Sequence, residues 1–432
     1  MQEYLSSVRI LLKVANGRSL DTAINASDSP LSRQIAYGVL RHYYSLSAAL
    51  EQLLEKPLAD KHQDIELLLL AGIYSINALN RPAHASVNFT VDAAAGLKKP
   101  WAKKLTNGVL RNYQRKQELI ANACHGDREA ETNHPDWLIK RIEAAYSDCS
   151  EQIFAANQVE PPMTLRVNLA KTNRNAYLSL LHEQDIGARA GLLADTSIYL
   201  ETPRSVDRLP GFAEGLVSVQ DEASQLVYGL LNVHSGQHVL DACAAPGGKT
   251  CAILEQAPDI TMVAIDKDSR RSATISENLK RQTLDCKVIA EDLLAHNPDQ
   301  SYDRILLDVP CSATGILRRH PDIKLLRLDS DIDKLVATQQ DLLAKAWSLL
   351  SVNGELLYST CSVLPTENSE VIQRFLDQNA DASLLSIEDQ ISVDAIQSGS
   401  QQGMFYPQGL QLLPTTGGTD GFFFSRLKKS PL

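Results

Sequence analysis

Two short segments carry cysteines in positions suited to covalent chemistry. One reads Asp308-Val-Pro-Cys311-Ser312 and the other Ser359-Thr-Cys361-Ser362, and each follows an apolar run that predicts a buried strand. If the two strands are neighbours, both thiols face one cleft. A thiolate that adds to C6 of a cytosine turns the ring into an enamine, whose C5 can attack a methyl sulfonium. Asp308 could stabilise charge or hold a proton at ring N3, and a base must then remove the C5 proton.

A glycine-rich segment predicts a cofactor site. The strand Val239–Asp241 runs into Ala242-Cys-Ala-Ala-Pro-Gly-Gly-Lys-Thr250, so the glycines fall where a first strand turns into a first helix. At such a turn the backbone can approach a ligand closely, and helix N–H groups point at it. The spacing matches neither Gly-x-Gly-x-x-Gly nor a P-loop, which argues against a dinucleotide and excludes a P-loop nucleotide site.

Acidic residues follow the next three predicted strands, at Asp266, at Glu291-Asp292 and at Asp308. In an open α/β sheet these strand ends converge on the crevice where ligands bind, and an acid after the second strand suits a ribose diol. One such acid alone is more often a helix cap or a turn residue. The whole set behind a glycine-rich turn favours an adenosyl ligand.

The spacing of apolar residues divides the chain into three predicted domains. Residues 1–130 have helical spacing, and the polar stretch from Asn122 to His134 predicts a linker at the end of this domain. Residues 131–212 combine helices with an alternating strand, which predicts a compact α+β domain. From residue 213 strands alternate with helices, which favours a doubly wound parallel sheet. The predicted strands are His238–Asp241, Met262–Asp266, Lys287–Ala290, Asp303–Asp308 and Gly354–Ser359.

Composition is typical of a globular protein from a reducing compartment. The chain of 432 residues is 44% hydrophobic and 22% charged. It has no recognisable secretory signal, and no apolar run approaches the roughly 20 residues that span a bilayer. Its cysteines include no C-x-x-C pair, so we predict neither a metal site nor a disulfide framework. We therefore expect a cytoplasmic protein whose other thiols serve packing.

These segments together resemble the NOL1/NOP2/Sun family of RNA cytosine-5 methyltransferases. The resemblance is carried by Asp241–Thr250, Asp308–Gly315, Ser359–Val363 with Glu367-Asn368, and Thr419–Phe424 as the last strand. Arg166–Asn168, Val219–Ser224 and a helical N-terminus of the NusB type also fit, so nearly the whole chain is covered. The implied fold is multidomain: an all-α NusB-like domain (1–130), a small α+β domain (131–212) and an α/β Rossmann-like class I methyltransferase domain (213–432).

The resemblance also implies a reaction and a set of residues. The cofactor would be S-adenosylmethionine, and the target C5 of a cytosine in small-subunit (16S) ribosomal RNA or a fragment of that subunit. Cys361 would be the nucleophile, Cys311 the thiol that helps product release, and Asp308 the third catalytic group. The implied cofactor-binding residues are Cys243, Ala244, Ala245, Pro246, Gly247, Gly248, Lys249, Asp266, Asp292 and Asp308.

A local basic stretch is the predicted RNA contact of a chain whose net charge is −10. From Lys98 to Lys116 there is no acid, and phosphate contact needs only a local positive surface. Trp101 and Tyr113 could stack on bases, although a solvated helix face with aromatic core anchors explains the same residues. The RNA-binding candidates are Lys98, Lys99, Lys103, Lys104, Arg111, Arg166, Arg318 and Arg319.

Two other kinds of function remain open from the sequence. The chain could methylate another RNA, DNA or a small molecule, or it could be a non-catalytic RNA-binding factor of ribosome assembly. The basic stretch favours a macromolecular substrate, and two cysteines together with the strand-end acids favour a working enzyme. We expect a monomer.

Overall fold

The computed structural model describes residues 1–391, 393–397 and 402–431. The chain folds into two units. One comprises Met1–Glu160 and Leu317–Asp329, and the other comprises Pro161–Ile316 and Ser330–Leu432. Within the described residues, no helix is both long and apolar enough to cross a membrane.

The first unit is helical. Its first ten helices are α1 Gln2–Ala15, α2 Leu20–Ala23, α3 Pro30–Arg41, α4 Tyr43–Glu51, α5 Gln63–Ala78, α6 Ala83–Gly96, α7 Ala102–Ala123, α8 Arg128–Thr132, α9 Asp136–Ala145 and α10 Ser150–Gln158. Helix α5 is apolar on almost every side because it is central, with α1, α3, α4, α6 and α7 around it. Helix α3 begins after a capping serine, whose Oγ (Ser29) accepts a hydrogen bond from Ser32 N at 3.2 Å, and Pro30 follows as the first helical residue.

His134 is buried in this unit. Its Nδ1 lies 2.5 Å from the carbonyl oxygen of Thr132, and its Nε2 lies 3.1 Å from Asn157 Nδ2. Both contacts are satisfied by the neutral ring with its proton on Nδ1. Burial lowers the pKa of His134 from 6.5 to about 3.

The buried ring of His134 predicts an acid-sensitive fold. The unfolded chain takes up this proton near its ordinary pKa, whereas the folded chain does so only near pH 3, so stability is lost as the pH falls between these values. Through His134, we expect the free energy of unfolding to drop by about 2 kcal/mol from pH 7 to pH 5. Urea unfolding at both pH values measures the drop, which His134→Gln should reduce. Equal drops in both proteins would contradict the prediction.

The second unit begins with a small antiparallel sheet. Its strands are β1 Thr164–Val167, β2 Ala188–Ala190, β3 Ser197–Leu200 and β4 Val217–Val219, in the order β2-β3-β1-β4. Helix α11 (Arg174–Glu183) packs against β2 and β3. Leu165 and Val167 of β1 join Tyr177 and Leu181 of α11 in the core between them. The predicted α+β pattern thus becomes one helix over a four-stranded sheet.

A nine-stranded sheet dominates the second unit. Its strands are β5 His238–Ala242, β6 Thr261–Asp266, β7 Lys287–Ala290, β8 Tyr302–Asp308, β9 Leu350–Thr360, β10 Ala382–Leu385, β11 Gln402–Tyr406, β12 Gly409–Leu413 and β13 Phe422–Lys429. The remaining helices are α12 Glu222–Gln225, α13 Val227–Leu231, α14 Gly248–Gln256, α15 Ser269–Gln282, α16 Ile323–Leu326, α17 Asp329–Leu349, α18 Ser369–Gln378 and α19 Val393–Gln397. Strands β7-β6-β5-β8-β9 are parallel, and β13, β12 and β11 continue the sheet in antiparallel pairs. All five predicted parallel strands are present, so their carboxyl ends share one edge.

The chain that follows β8 leaves this sheet and joins the helical unit. Helix α16 packs against α1, and Leu325 and Leu326 contact the helical core. The buried Lys324 Nζ donates to the carbonyl oxygens of Arg41 at 2.6 Å and Asn133 at 2.8 Å, at the carboxyl ends of α3 and α8. The helical unit is therefore built from two separate stretches of sequence.

Candidate active site

The two cysteine segments meet at the carboxyl ends of β8 and β9. These strands are parallel neighbours, as predicted, and Asp308 pairs in register with Ser359. Just beyond, the Sγ atoms of Cys311 and Cys361 lie 3.4 Å apart. The backbone holds the two loops together, because Gly315 N donates to the carbonyl oxygen of Cys361 at 2.9 Å. Two thiols fifty residues apart in sequence therefore share one site.

The buried carboxylate of Glu367 fastens the two loops to each other. On the Cys311 side it accepts from Ser312 N at 2.8 Å and Ser312 Oγ at 2.5 Å, and on the Cys361 side from Ser362 Oγ at 2.6 Å. Gln339 Nε2 adds a fourth hydrogen bond at 3.0 Å. In the sequence, Glu367-Asn368 was noted only as part of the family resemblance. A serine directly follows each cysteine, and this repeated pattern could have indicated a shared hydrogen-bond acceptor. Glu367 therefore sets the position of both thiols.

Replacing Glu367 by glutamine tests this positioning role. The amide would place an NH2 group against donors, so at least one of the two loops would shift. We expect kcat to fall about 10- to 100-fold, the range seen when an outer hydrogen-bond partner of a reactive group is lost, with the KM for RNA little changed. Initial rates at varied RNA concentration measure both constants. Glu370→Gln, which changes an exposed carboxylate of α18, is the matched control; a similar loss there would speak against Glu367.

The two thiols have different surroundings. Cys311 is only 8% exposed, whereas Cys361 is partly exposed. The contact with Cys361 and burial raise the pKa of Cys311 well above its ordinary value, so Cys311 stays a neutral thiol. Cys361 is therefore the better placed of the two to act as a nucleophile.

A single cleft of about 470 Å³ joins the thiols to the strand ends. Among the residues singled out from the sequence, the cleft is lined by Cys243, Ala245, Asp266, Asp292, Asp308, Cys311 and Cys361. The other predicted cofactor residues, Ala244, Pro246, Gly247, Gly248 and Lys249, belong to the turn that forms one wall. The described residues contain no cluster of His, Cys, Asp and Glu side chains arranged to hold a metal ion.

The glycine-rich turn between β5 and α14 depends on Gly247. Its φ is +94°, and a Cβ there would meet the Cα of Ile275 at 3.0 Å, so a side chain would be strained and crowded. Ala245 N donates to Asp266 Oδ2 at 3.1 Å, which ties the turn to the end of β6. Asp266 is thus both a cleft residue and a support of the turn.

Lys249 links the glycine-rich turn to the carboxyl end of β8. Its Nζ lies 2.5 Å from Asp308 Oδ2, and Ser359 Oγ donates to Asp308 Oδ1 at 2.7 Å. Burial alone would lower the pKa of Lys249, but the Asp308 carboxylate outweighs burial and raises it, so the ammonium keeps its charge. Sequence reasoning placed Lys249 in the cofactor turn and missed its contact with Asp308, because the partner lies on a different strand.

Arg166 is only 1% exposed, so the prediction that it lies on an RNA-binding surface is wrong. Its Nε and Nη2 donate to the Glu255 carboxylate at 3.1 and 2.5 Å. Its Nη1 donates to the Gly248 carbonyl at 2.6 Å and to Gln220 Oε1 at 2.5 Å. Arg166, on strand β1 of the small sheet, therefore binds α14 both at its first residue, Gly248, and near its last turn, at Glu255.

The other predicted RNA-binding cations divide by exposure. Arg318 is fully buried, so its prediction was also wrong, and Arg319 is partly exposed. Lys99 and Lys103 pair with Asp64 at 2.5 Å and Asp92 at 3.3 Å. Lys98, Lys104 and Arg111 are exposed and stay candidates. Of the aromatics, Tyr113 is a buried core residue, whereas Trp101 is 50% exposed.

Comparison with known proteins agrees with this architecture. The family described as 16S rRNA methyltransferase RsmB/F matches residues 228–428, the RsmF/B-like ferredoxin-like domain matches residues 134–207, and the NusB family matches residues 5–115. The chain is 44% identical to the ribosomal RNA small subunit methyltransferase B of Pseudomonas syringae pv. tomato, over 99% of this chain and 97% of that protein. This chain belongs to the small-subunit ribosomal RNA methyltransferase B family.

A further relative supports the family, and solved structures share the fold. A Coxiella burnetii protein, named probable ribosomal RNA small subunit methyltransferase B, is 42% identical over 94% of each chain. The crystal structure of PH0851 has the same fold, with a TM-score of 0.80 at 22% identity over 98% of this chain and 99% of that one. A methyltransferase homologue from Pyrococcus horikoshii aligns with a TM-score of 0.58 at 26% identity, over 70% of this chain and 98% of that one. The predicted resemblance and fold class are confirmed, and the family's activity is methyl transfer to ribosomal RNA.

Proposed function

We propose that this protein transfers a methyl group from S-adenosylmethionine to C5 of a cytosine in 16S ribosomal RNA, through a covalent adduct with Cys361. The observation that carries the proposal is the 3.4 Å separation of the Cys311 and Cys361 sulfurs in the cleft that the strand-end acids also line. Two adjacent thiols suit this reaction, because one would add to C6 and the second could help to reverse that addition.

The residues of the cleft fit an adenosyl cofactor. Asp266 and Asp292 follow the second and third parallel strands and can accept hydrogen bonds from hydroxyl groups. Ile265, Leu293 and Leu294 supply apolar lining for a purine. Gly247 precedes α14, and a Cβ at this position would be crowded. Glycine therefore allows the backbone geometry that presents the amino end of α14 to a ligand. When bound, S-adenosylmethionine would supply an electrophilic methyl group.

The chain's own groups divide the remaining work. Cys361 would attack C6 as a thiolate, which moves electron density to C5 and N3 of the cytosine. The Asp308 carboxylate, held by Lys249 and Ser359, would accept a hydrogen bond from N3 once the ring is protonated there. After methylation, a base takes the proton from C5, the C6–S bond breaks, and the Cys361 thiolate leaves. Cys311, a neutral thiol in contact with Cys361, would assist that release.

The test is methyl transfer from labelled S-adenosylmethionine to 16S ribosomal RNA, with bisulfite sequencing to locate the product. The proposal expects one modified cytosine in small-subunit RNA and none when Cys361 is replaced by serine. Label found only in DNA, in another RNA or at another ring atom would refute it. RNA binding without any methyl transfer would favour the non-catalytic assembly factor.

A further inference from the structure

Helices α6 and α7 of the helical unit enclose a groove of about 470 Å³. Its lining residues are His84, Val87 and Asn88 from α6 and Gly108, Arg111, Gln114 and Arg115 from α7. We propose that this groove, here called the α6/α7 groove, binds the sugar–phosphate backbone of the substrate RNA. This inference rests on the proposed function, since it takes RNA as the substrate, and it assigns a surface that lies outside the candidate active site.

The lining of the α6/α7 groove contains two cations and no acid. Arg111 and Arg115 are both exposed and lie one helical turn apart, and Lys104, also exposed, continues the same face of α7. The hydrogen bond of Arg111 goes to a neutral group, Asn107 Oδ1, at 3.0 Å within its own helix. No acid lines the groove. In a chain of net charge −10, such a surface favours an anionic ligand.

Neither acid of the two helices lines the groove. Helix α6 contains one acid, Asp92, which pairs with Lys103 at 3.3 Å. Helix α7 contains one acid, Glu118, which does not line the groove. Lys99 and Lys103, by contrast, each have an acidic partner. Of the predicted RNA-binding residues of the basic stretch, only Arg111 lines the groove. Arg115 also lines it, although it was not among the predicted RNA-binding residues.

Gly108 gives a second and independent indication. It lies inside the 22-residue helix α7, where glycine lowers helix stability relative to alanine. A Cβ at Gly108 would meet no atom within 4 Å, so packing within the protein does not explain the glycine. Gly72 of α5 differs, because a Cβ there would meet Leu110 at 2.9 Å. At Gly108 the missing side chain keeps the wall of the groove open, as a ligand lying close to the backbone requires.

The donors around the α6/α7 groove suit RNA. Guanidinium groups bind phosphate through paired, charge-assisted hydrogen bonds. Across the groove, the Asn88 amide and the His84 ring can donate to phosphate or to a ribose 2′-hydroxyl. These contacts are to phosphate and sugar and do not distinguish one base sequence from another. The groove would therefore contribute affinity and position the RNA, while the active site would select the cytosine.

The experiment uses two kinds of variant, one that removes positive charge from the α6/α7 groove and one that fills the groove. Arg111→Gln combined with Arg115→Gln removes two cations, and Gly108→Leu fills the groove without altering charge. The matched control, Arg18→Gln with Lys140→Gln, removes two exposed cations from the same unit outside the groove. The probe is a 16S ribosomal RNA transcript, with binding measured over a range of salt in the absence of cofactor. Thermal unfolding of each variant shows that it is folded.

The charge variant should bind RNA at least about tenfold more weakly than the control, with the slope of log K against log salt reduced by about two. Gly108→Leu should weaken binding with the slope retained. If the groove variants bind RNA as well as the control does, the proposal is wrong. It is also wrong if the variants lose binding to an acidic peptide such as polyglutamate but keep their binding to RNA. Since binding is read without cofactor, a wild type that binds RNA through the groove but transfers no methyl group would overturn the proposed reaction alone.

Discussion

Cys361→Ser is expected to abolish methyl transfer, whereas Cys311→Ser is expected to trap the protein on its RNA. A serine hydroxyl is a far weaker nucleophile than a thiolate near neutral pH, so the first change should lower kcat at least about 10³-fold. The second change leaves the nucleophile in place and removes the thiol beside it, at 3.4 Å. Addition and methylation should then proceed, and elimination should become the slow step.

Gel electrophoresis under denaturing conditions, with labelled RNA and S-adenosylmethionine, separates the two outcomes. The Cys311→Ser protein should give a slowly migrating protein–RNA band, and the Cys361→Ser protein should give none. Cys124→Ser changes a thiol of the helical unit and is the control. If the band appeared with Cys361→Ser instead, the roles of the two thiols would be exchanged.

Arg166→Met should cause a large loss of stability. The guanidinium and the Glu255 carboxylate are each 1% exposed, and the substitution leaves the carboxylate buried without its partner. Losing one member of a buried ion pair costs about 3 to 5 kcal/mol. The substitution also removes the donor to the Gly248 carbonyl, so α14 should be less well fixed at the end that bears the glycine turn.

Denaturant unfolding followed by circular dichroism measures this loss. Arg374→Met is the matched control, because its partner Glu370 is exposed and such pairs contribute at most about 0.5 kcal/mol. Arg166→Lys retains the charge but not the planar fork, so it should fall between the wild type and the methionine variant. A loss no greater than that of Arg374→Met would show that the pair does not stabilise the unit.

Local patterns predicted the sheet and the placement of the thiols. The apolar runs before Asp266 and Asp308 are long enough to identify strands, and parallel strands bring their carboxyl ends to one edge. The adjacency of β8 and β9 then follows once the two cysteine segments are taken to serve one reaction. Those patterns were sufficient for the five parallel strands, whereas β10, β11, β12 and the antiparallel pairing of β13 were not predicted.

Partners distant in sequence could not be predicted in the same way. Glu367 binds Ser312, and Arg166 binds Glu255, across intervals that carry no periodic signal. Arg166 and Arg318 were both predicted to contact RNA and both are buried, although arginine is usually exposed. A charged side chain that is buried beside its partner has the same letter in the sequence as one that faces solvent, so only the tertiary structure separates the two.

The return of residues 317–329 to the helical unit has a consequence for dissecting the protein. A fragment that starts at Pro161 would retain this segment but lose the helices that cover it. Leu325 and Leu326 would then face water, and the Lys324 ammonium would lose its two carbonyl partners. Such a fragment should be prone to aggregation. Its inactivity would say nothing about whether the missing helices bind RNA.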